Sequence, residues 1–120
     1  MKSTPGQSDL LQATLDHAHK FLDDLGDAPV APIASLTELR DRLNRDLPDD
    51  PCAAREVIDQ LVSDTAGGLT HNQGGRFFAW VIGGTVPAAL AADWLTSTWD
   101  QNSGMFSVTP DAAGGEEVCG

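Results

Sequence analysis

Proline and glycine divide this chain into short segments, and the apolar residues between these breaks recur at helical spacing. From Asp9 the positions of one face step by four, three, four and three residues until Gly26 ends the pattern. That face consists of Leu11, Leu15, Ala18, Leu22 and Leu25. Such a stripe is typical of a helix that packs on a core, and a subunit contact is the less common alternative. The spacing predicts a first helix that starts at Asp9.

A capping-box signature marks the second helix, because Ser35 is followed by Glu38 three residues later. The helical stripe after it consists of Leu36, Leu39, Leu43 and Leu47. Asp50 is then expected to cap a third helix with Pro51 at its first position. The expected buried face of the third helix consists of Ala54, Val57, Ile58, Leu61 and Val62.

All three Trp lie beyond residue 79, and three of the four Phe lie beyond residue 76, so the bulky side chains are concentrated towards the end of the chain. The apolar run Phe77–Ile82 predicts a short strand, although buried irregular structure gives the same pattern. Thr85 is expected to cap a fourth helix opened by Pro87, and a second extended stretch at 105–108 precedes a fifth helix capped by Thr109. The sequence therefore predicts a mainly α protein with two short extended stretches.

The acidic balance of the chain limits its partners. Seven Lys and Arg against eighteen Asp and Glu give a formal charge of -11, and such a surface repels phosphate backbones and anionic membranes. The N-terminus lacks the apolar core of a signal peptide, and no apolar run is long enough to span a bilayer. We therefore expect no nucleic-acid partner, no membrane association and a cytoplasmic location.

No catalytic constellation is visible in the residue pattern alone. His17 and His19 point in different directions on a helix and cannot share a metal ion. Cys52 and Cys119 are far apart and show no zinc-binding spacing. His71 lies in a loop before the aromatic run, but general-base catalysis would need a second group beside it. By residue type, the aromatic run is more often core than ligand contact.

The stretch from His71 to Glu116 nevertheless resembles one enzyme family. It holds His71, the pair Phe77-Phe78 and, near its end, Thr109-Pro110. With these motifs the chain resembles the N-terminal portion of group II pyridoxal-phosphate-dependent amino-acid decarboxylases, which include aromatic-amino-acid, glutamate and diaminobutyrate decarboxylases. The resemblance covers residues 71–120 well and the helical region before them loosely.

This resemblance implies a set of residues that bind the amino-acid substrate. They are His71, Phe78, Trp80, Val81, Ile82, Gly83, Met105 and Phe106. It implies no catalytic, cofactor-binding or metal-binding residue in this chain, because those of the family lie in the aspartate-aminotransferase-like large domain that follows. Pyridoxal 5'-phosphate is therefore expected in the complete enzyme and not on this chain alone.

The residue pattern and the same resemblance together give the expected organisation of the chain. Residues 1–8 are expected to be a disordered start, and 9–70 a helical arm that packs on the arm of a homodimer partner. Residues 71–108 then form a substrate-pocket segment, and 109–120 the truncated start of a helix leading into the absent domain. The expected function is that of an N-terminal fragment of a carboxy-lyase of amino-acid metabolism, inactive by itself. The alternative is a stand-alone acidic helical module for dimerisation.

Overall fold

A computed structural model describes residues 6–102, 107 and 109–120 of the chain. These residues form five α-helices and no strand. The helices are α1 (Gln7–Asp24), α2 (Leu36–Leu43), α3 (Ala54–Thr65), α4 (Pro87–Trp99) and α5 (Pro110–Cys119). The predicted mainly α class is confirmed. The chain divides into two compact units, Met1–Gly84 and Thr85–Gly120.

Helix α1 begins two residues earlier than the apolar stripe predicts, so the expected disordered start is partly helical. Gly6 occupies the N-cap position with a φ of 96°, a conformation that glycine adopts without a Cβ clash. Three residues spaced by four face the rest of the first unit. Ala13 is buried, His17 binds Asp59 of α3, and Phe21 stacks on His71.

The leucine stripe of α1 lies on a different side of the helix from these three residues. At 3.6 residues per turn, the stripe is centred roughly a third of a turn away from the Ala13–His17–Phe21 face. Leu11 is exposed, while the other members, Leu15, Ala18, Leu22 and Leu25, are half-buried. The first unit therefore covers this stripe only in part.

Helix α2 has the capping box that the sequence predicts. The Ser35 hydroxyl accepts the Glu38 amide N–H at 3.2 Å, and the Glu38 carboxylate accepts the Ser35 N–H at 2.7 Å. The helix ends at Leu43, so Leu47 lies outside it and is 92% exposed. Of the predicted stripe, Leu39 alone is half-buried.

Helix α3 packs against both α1 and α2, but its start and its buried face differ from the prediction. It begins at Ala54, and Ala53 at the N-cap makes no side-chain hydrogen bond. Asp50 and Pro51 precede the helix, because a capping preference of about 1 kcal/mol is easily overridden by the surrounding chain. The prediction of the buried face is also wrong for four of its five residues, which are more than one-third exposed: Ala54, Val57, Leu61 and Val62.

In the second unit, α4 opens at Pro87 as predicted. Its N-cap is Val86 and not Thr85, so the predicted cap is displaced by one residue. Helix α5 runs through Gly114-Gly115 without a break, and Thr109 occupies its N-cap position. The Thr109 hydroxyl donates to the Asn102 carbonyl instead of capping the helix. The predicted extended stretch at 105–108 lies outside the described residues except for Ser107.

The described part of the chain has a very small core. Ala13 is its only buried hydrophobic residue, and none of its side chains is fully buried. Asp64 is buried instead on α3, where its carboxylate accepts hydrogen bonds from Arg45 and from Gln60. No described helix has the length and apolar character needed to cross a bilayer. Much of the apolar surface of these helices is thus left in contact with water.

Candidate functional site

The loop that begins at His71 is fixed against the end of α1 and the chain that follows it. The His71 amide N–H donates to the Val30 carbonyl at 3.0 Å. Its ring stacks on Phe21 with the centroids 5.0 Å apart and the planes 16° from parallel. The ring is half-buried, and its Nδ1 atom is buried without a hydrogen bond to any described residue. His71 is thus packed into the helical part of the first unit.

Arg76 makes a second attachment between the loop and α1. Its guanidinium donates to the Leu25 carbonyl at 3.4 Å and to the Ala28 carbonyl at 2.5 Å. Gly74 allows this close approach, because a Cβ at that position would lie 3.1 Å from the Leu25 carbonyl oxygen. The loop and the C-terminal end of α1 are therefore in direct backbone contact.

The charges at the end of α1 explain why an arginine is favourable there. The last turn of α1 has no basic residue, whereas Asp23 and Asp24 lie in it and Asp27 follows closely. The C-terminal end of a helix carries partial negative charge, which a nearby cation stabilises. Arg76 supplies that positive charge from a distant part of the sequence.

The segment that follows Arg76 does not form the predicted strand. It forms turns, and the Phe77 N–H donates to the Gly74 carbonyl at 3.2 Å. Trp80 and Val81 have positive φ values of 66° and 55°, which are uncommon for residues with a Cβ, most of all a β-branched one. A strand also needs a neighbour to pair its backbone groups, and the described part of the chain offers none.

The turns present an apolar surface to solvent. Phe77 is half-buried, whereas Phe78 is 92% exposed and Trp80 is 85% exposed. Val81 is fully exposed and Ile82 about half exposed. Gly83 is exposed with open space around it. We define these residues, 78–83, as the apolar segment. Met105 and Phe106 of the predicted substrate-binding set lie outside the described residues.

Two carboxyl groups of the described residues, those of Asp59 and Glu38, have their pKa lowered by hydrogen bonds on the helices. Asp59 binds His17 at 2.8 Å and Arg55 at 2.7 Å, and these hydrogen bonds, that of His17 first, lower the pKa of the Asp59 carboxyl. The hydrogen bonds with Ser35 lower the pKa of Glu38 in the same way. No three His, Cys, Asp or Glu side chains of the described chain are grouped so as to hold a metal ion.

The residues of this chain do not fit pyridoxal phosphate as its holders. An imine with the cofactor requires a lysine placed in a pocket, and the sequence has only Lys2 and Lys20. Lys20 is exposed on α1 and pairs with Asp24 at 2.9 Å, and Lys2 lies outside the described residues. No catalytic step is therefore assigned to this chain.

Two contacts of the first unit are not evident from the sequence patterns. Arg76 binds the end of α1, and Arg42 of α2 donates to the Ala66 carbonyl at the end of α3 at 2.8 Å. Both helices lack a basic residue in the last turn. This shortage of positive charge is a sequence signal for a cation supplied from elsewhere, although it does not identify which arginine supplies it.

Models of protein families, curated proteins and solved structures were all compared with this chain, and none of them matches it.

Proposed function

We propose that this chain is the arm and substrate-wall region of a group II pyridoxal-phosphate-dependent amino-acid decarboxylase. In this function α1 packs on a second copy, and the apolar segment forms one wall of the substrate pocket. The observation that carries the proposal is the exposure of Phe78, Trp80 and Val81 on a loop that is itself anchored to a helix. Exposed apolar surface next to a fixed scaffold is typical of a surface that another molecule covers.

The lack of a core supports the need for a further part of the structure. Among the described residues, only Ala13 is a buried hydrophobic, whereas a chain of this length usually buries about two-thirds of its unfolded surface. A region that folds against a large cofactor-binding domain and a second subunit would bury its apolar side chains there. A small core is accordingly expected of a region that folds only against other parts of the enzyme.

The role of the apolar segment is to bind the substrate side chain and exclude water. Apolar walls exclude solvent from a reacting centre and so strengthen the electrostatic interactions inside it. The segment offers no charged group of its own. The cofactor, its lysine and the proton-transferring groups belong to the complete enzyme and not to this chain.

The same wall favours an aromatic or otherwise bulky uncharged amino acid as the substrate. A second carboxylate in the substrate would need a cationic partner, because burial of an unpaired charge is costly. Arg76 is the only cation of the loop, and its guanidinium binds the Leu25 and Ala28 carbonyls. It is therefore already engaged and is a poor partner for an acidic side chain.

The cheapest test of the proposal is to read the genomic DNA after the codon of Gly120 in all three frames. We expect one frame to encode a large domain with a lysine segment of the form Ser-x-His-Lys, which the family uses to hold pyridoxal phosphate. A downstream region without such a segment in any frame would contradict the proposal.

A variant test applies once this region is joined to its cofactor domain. Trp80→Ala should raise KM for the amino acid by about tenfold, since loss of a large apolar contact costs on the order of 1–3 kcal/mol. Cofactor occupancy, measured by the absorbance of the bound cofactor, should stay nearly unchanged. Trp80→Phe serves as the control and should retain most of the affinity. An equal loss of cofactor would show that Trp80 stabilises the fold instead.

A second candidate function is a stand-alone dimerisation module. The leucine stripe of α1 favours it, because the stripe is only partly covered within the first unit. Such a module would form a discrete dimer without any cofactor domain, and its genomic DNA would lack the lysine segment. Both functions require a dimer. The presence or absence of the lysine segment in the downstream DNA distinguishes them.

A further inference from the structure

Three separate contacts connect the loop at 71–77 with α1 and the linker after it. The His71 ring stacks on Phe21, the His71 N–H donates to the Val30 carbonyl, and Arg76 binds the Leu25 and Ala28 carbonyls. The Arg76 contact is the last of these along the chain, and Phe78 begins the apolar segment two residues later. Arg76 is thus the attachment nearest to the apolar segment.

The local turn transmits this attachment to the apolar segment. Gly74 donates its N–H to the His71 carbonyl at 3.2 Å, and Phe77 donates its N–H to the Gly74 carbonyl at 3.2 Å. These two successive turns connect the backbone of His71, Gly74 and Phe77, and Arg76 lies within the second turn. Phe78 and Trp80 follow directly after this turn in the chain.

We infer that Arg76 is a positioning residue that couples the C-terminal end of α1 to the apolar segment. Through this contact the helix that carries the leucine stripe also fixes the placement of Trp80. The consequence for substrate binding rests on the proposed function, whereas the coupling itself does not. A displacement of α1, for example on pairing with a second copy, changes the wall through Arg76.

Arginine suits this role better than lysine. One guanidinium nitrogen, Nη2, donates to both carbonyls, and the guanidinium is more weakly hydrated than a lysine ammonium, which is a compact and strongly hydrated point charge. Arg76→Lys therefore keeps the positive charge near the α1 end but should hold the two carbonyls less firmly, because its ammonium gives up more hydration on binding them. Arg76→Met keeps much of the apolar stem and loses both the charge and the hydrogen bonds.

The test uses the full chain in a Trp94→Phe/Trp99→Phe background, in which Trp80 is the only tryptophan. Both replaced tryptophans lie in the second unit, so the sequence of the first unit is unaltered. Time-resolved fluorescence anisotropy then reports the local motion of Trp80, and amide hydrogen exchange reports opening at the hydrogen-bonded amides of Gly74 and Phe77.

Arg76→Met should lower the amplitude of the slow component of the Trp80 anisotropy decay, because Trp80 then moves more freely. It should also speed exchange of the two hydrogen-bonded amides, those of Gly74 and Phe77, by about tenfold, because hydrogen bonds to a charged group are lost. Arg76→Lys should restore part of both signals. The control Arg55→Met breaks an exposed ion pair on α3 and should leave both unchanged.

Unaltered anisotropy and exchange in Arg76→Met would overturn the inference. If Arg76→Met loses its helical circular dichroism, the test is decided by Arg76→Lys alone. Trp80 motion in Arg76→Lys that equals the motion in the wild-type protein would then overturn the role of the shared contact with the two carbonyls.

A second measurement separates this inference from the proposed function. With the cofactor domain joined, Arg76→Met should raise KM by a similar factor for acidic and apolar amino acids and change kcat less. A selective loss for acidic amino acids would show that Arg76 binds a substrate carboxylate and would overturn the positioning role. A mobile Trp80 with unchanged KM would uphold the coupling and contradict the proposed function.

Discussion

At the residue scale, the described part of this molecule buries a charged side chain at a position where most domains bury an apolar one. The buried member of α3 is Asp64 and not one of the expected apolar residues, and its carboxylate is held by Arg45 and Gln60. A buried carboxylate requires such partners, because an unpaired buried charge is strongly destabilising. The contacts of Asp64 therefore matter more for stability than the exposed ion pairs Lys20–Asp24 and Arg55–Asp59, since exposed pairs contribute little.

The pair of His17 with Asp59 gives the first unit a stability that depends on pH. Pairing lowers the pKa of Asp59 in the folded protein, so its contribution is present above the unfolded value of about 3.9 and is lost as pH falls through the lower folded value. Asp59→Asn should therefore destabilise the protein near pH 6 and have progressively less effect on further acidification. Urea unfolding at a series of pH values measures this.

The control for that experiment is Asp49→Asn, an exposed aspartate outside the helices. We expect this variant to follow the wild-type protein at every pH. A constant difference between wild type and Asp59→Asn down to the lowest pH would show that the carboxyl acts only through packing.

At the element scale, a helix begins at the predicted residue where a capping box or a proline fixes its start. Where neither is present, the observed start differs from the prediction. The reciprocal bonds of Ser35 and Glu38 place the start of α2 as the sequence predicts, and Pro87 and Pro110 do so for α4 and α5. The predicted start of α3 is wrong because one residue with a favourable capping preference, Asp50, does not by itself determine where a helix begins. The mainly α class follows from spacing, whereas which faces are buried depends on neighbours that spacing does not reveal.

The capping box makes a quantitative prediction for α2. Ser35→Ala removes the side chain that accepts the Glu38 N–H and should cost about 1 kcal/mol of stability. The neighbouring Thr37→Ala is the control, because Thr37 is exposed and takes no part in the box. Thermal unfolding followed by circular dichroism measures both. Equal melting temperatures of Ser35→Ala and Thr37→Ala would contradict the stabilising role of the box.

In the candidate site, too, the sequence predicts local character but not the contacts between residues that are distant in the chain. The apolar character of residues 77–82 is evident from the sequence, but their turns are not, since an apolar run is common to strands and irregular segments. Neither is the contact of Arg76 with Leu25 and Ala28, because it joins positions about fifty residues apart. Contacts of this separation are set by the tertiary fold, which periodicity does not encode.

At the scale of the whole molecule, exposed apolar surface is the dominant feature. Large apolar side chains lie open on each of the five described helices, on α1 at Leu11 alone, and on the apolar segment. A monomer with so much apolar surface gains free energy by association or by docking on a further domain. The charge of -11 makes two copies of the chain repel each other. A dimer must therefore bury enough apolar surface to outweigh that repulsion.

The leucine stripe of α1 gives the sharpest test of that association. We predict a dimer that Leu15→Asp with Leu22→Asp dissociates, because each carboxylate would be buried without a partner at a cost on the order of a few kcal/mol. Leu11→Asp should weaken it as well, and Leu11 is already exposed in the single chain, so its loss leaves the monomer folded. Sedimentation and light scattering measure the mass.

The matched control for this dimer test is Gln12→Asp with His19→Asp, which adds the same charges at exposed positions of α1. At 3.6 residues per turn these positions lie off both the leucine stripe and the Ala13–His17–Phe21 face, so the dimer should persist. If the stripe variants keep both the mass and the melting temperature of the wild-type protein, α1 is not the contact. The arm function would then be wrong, whereas the coupling through Arg76, which lies within one chain, would still hold.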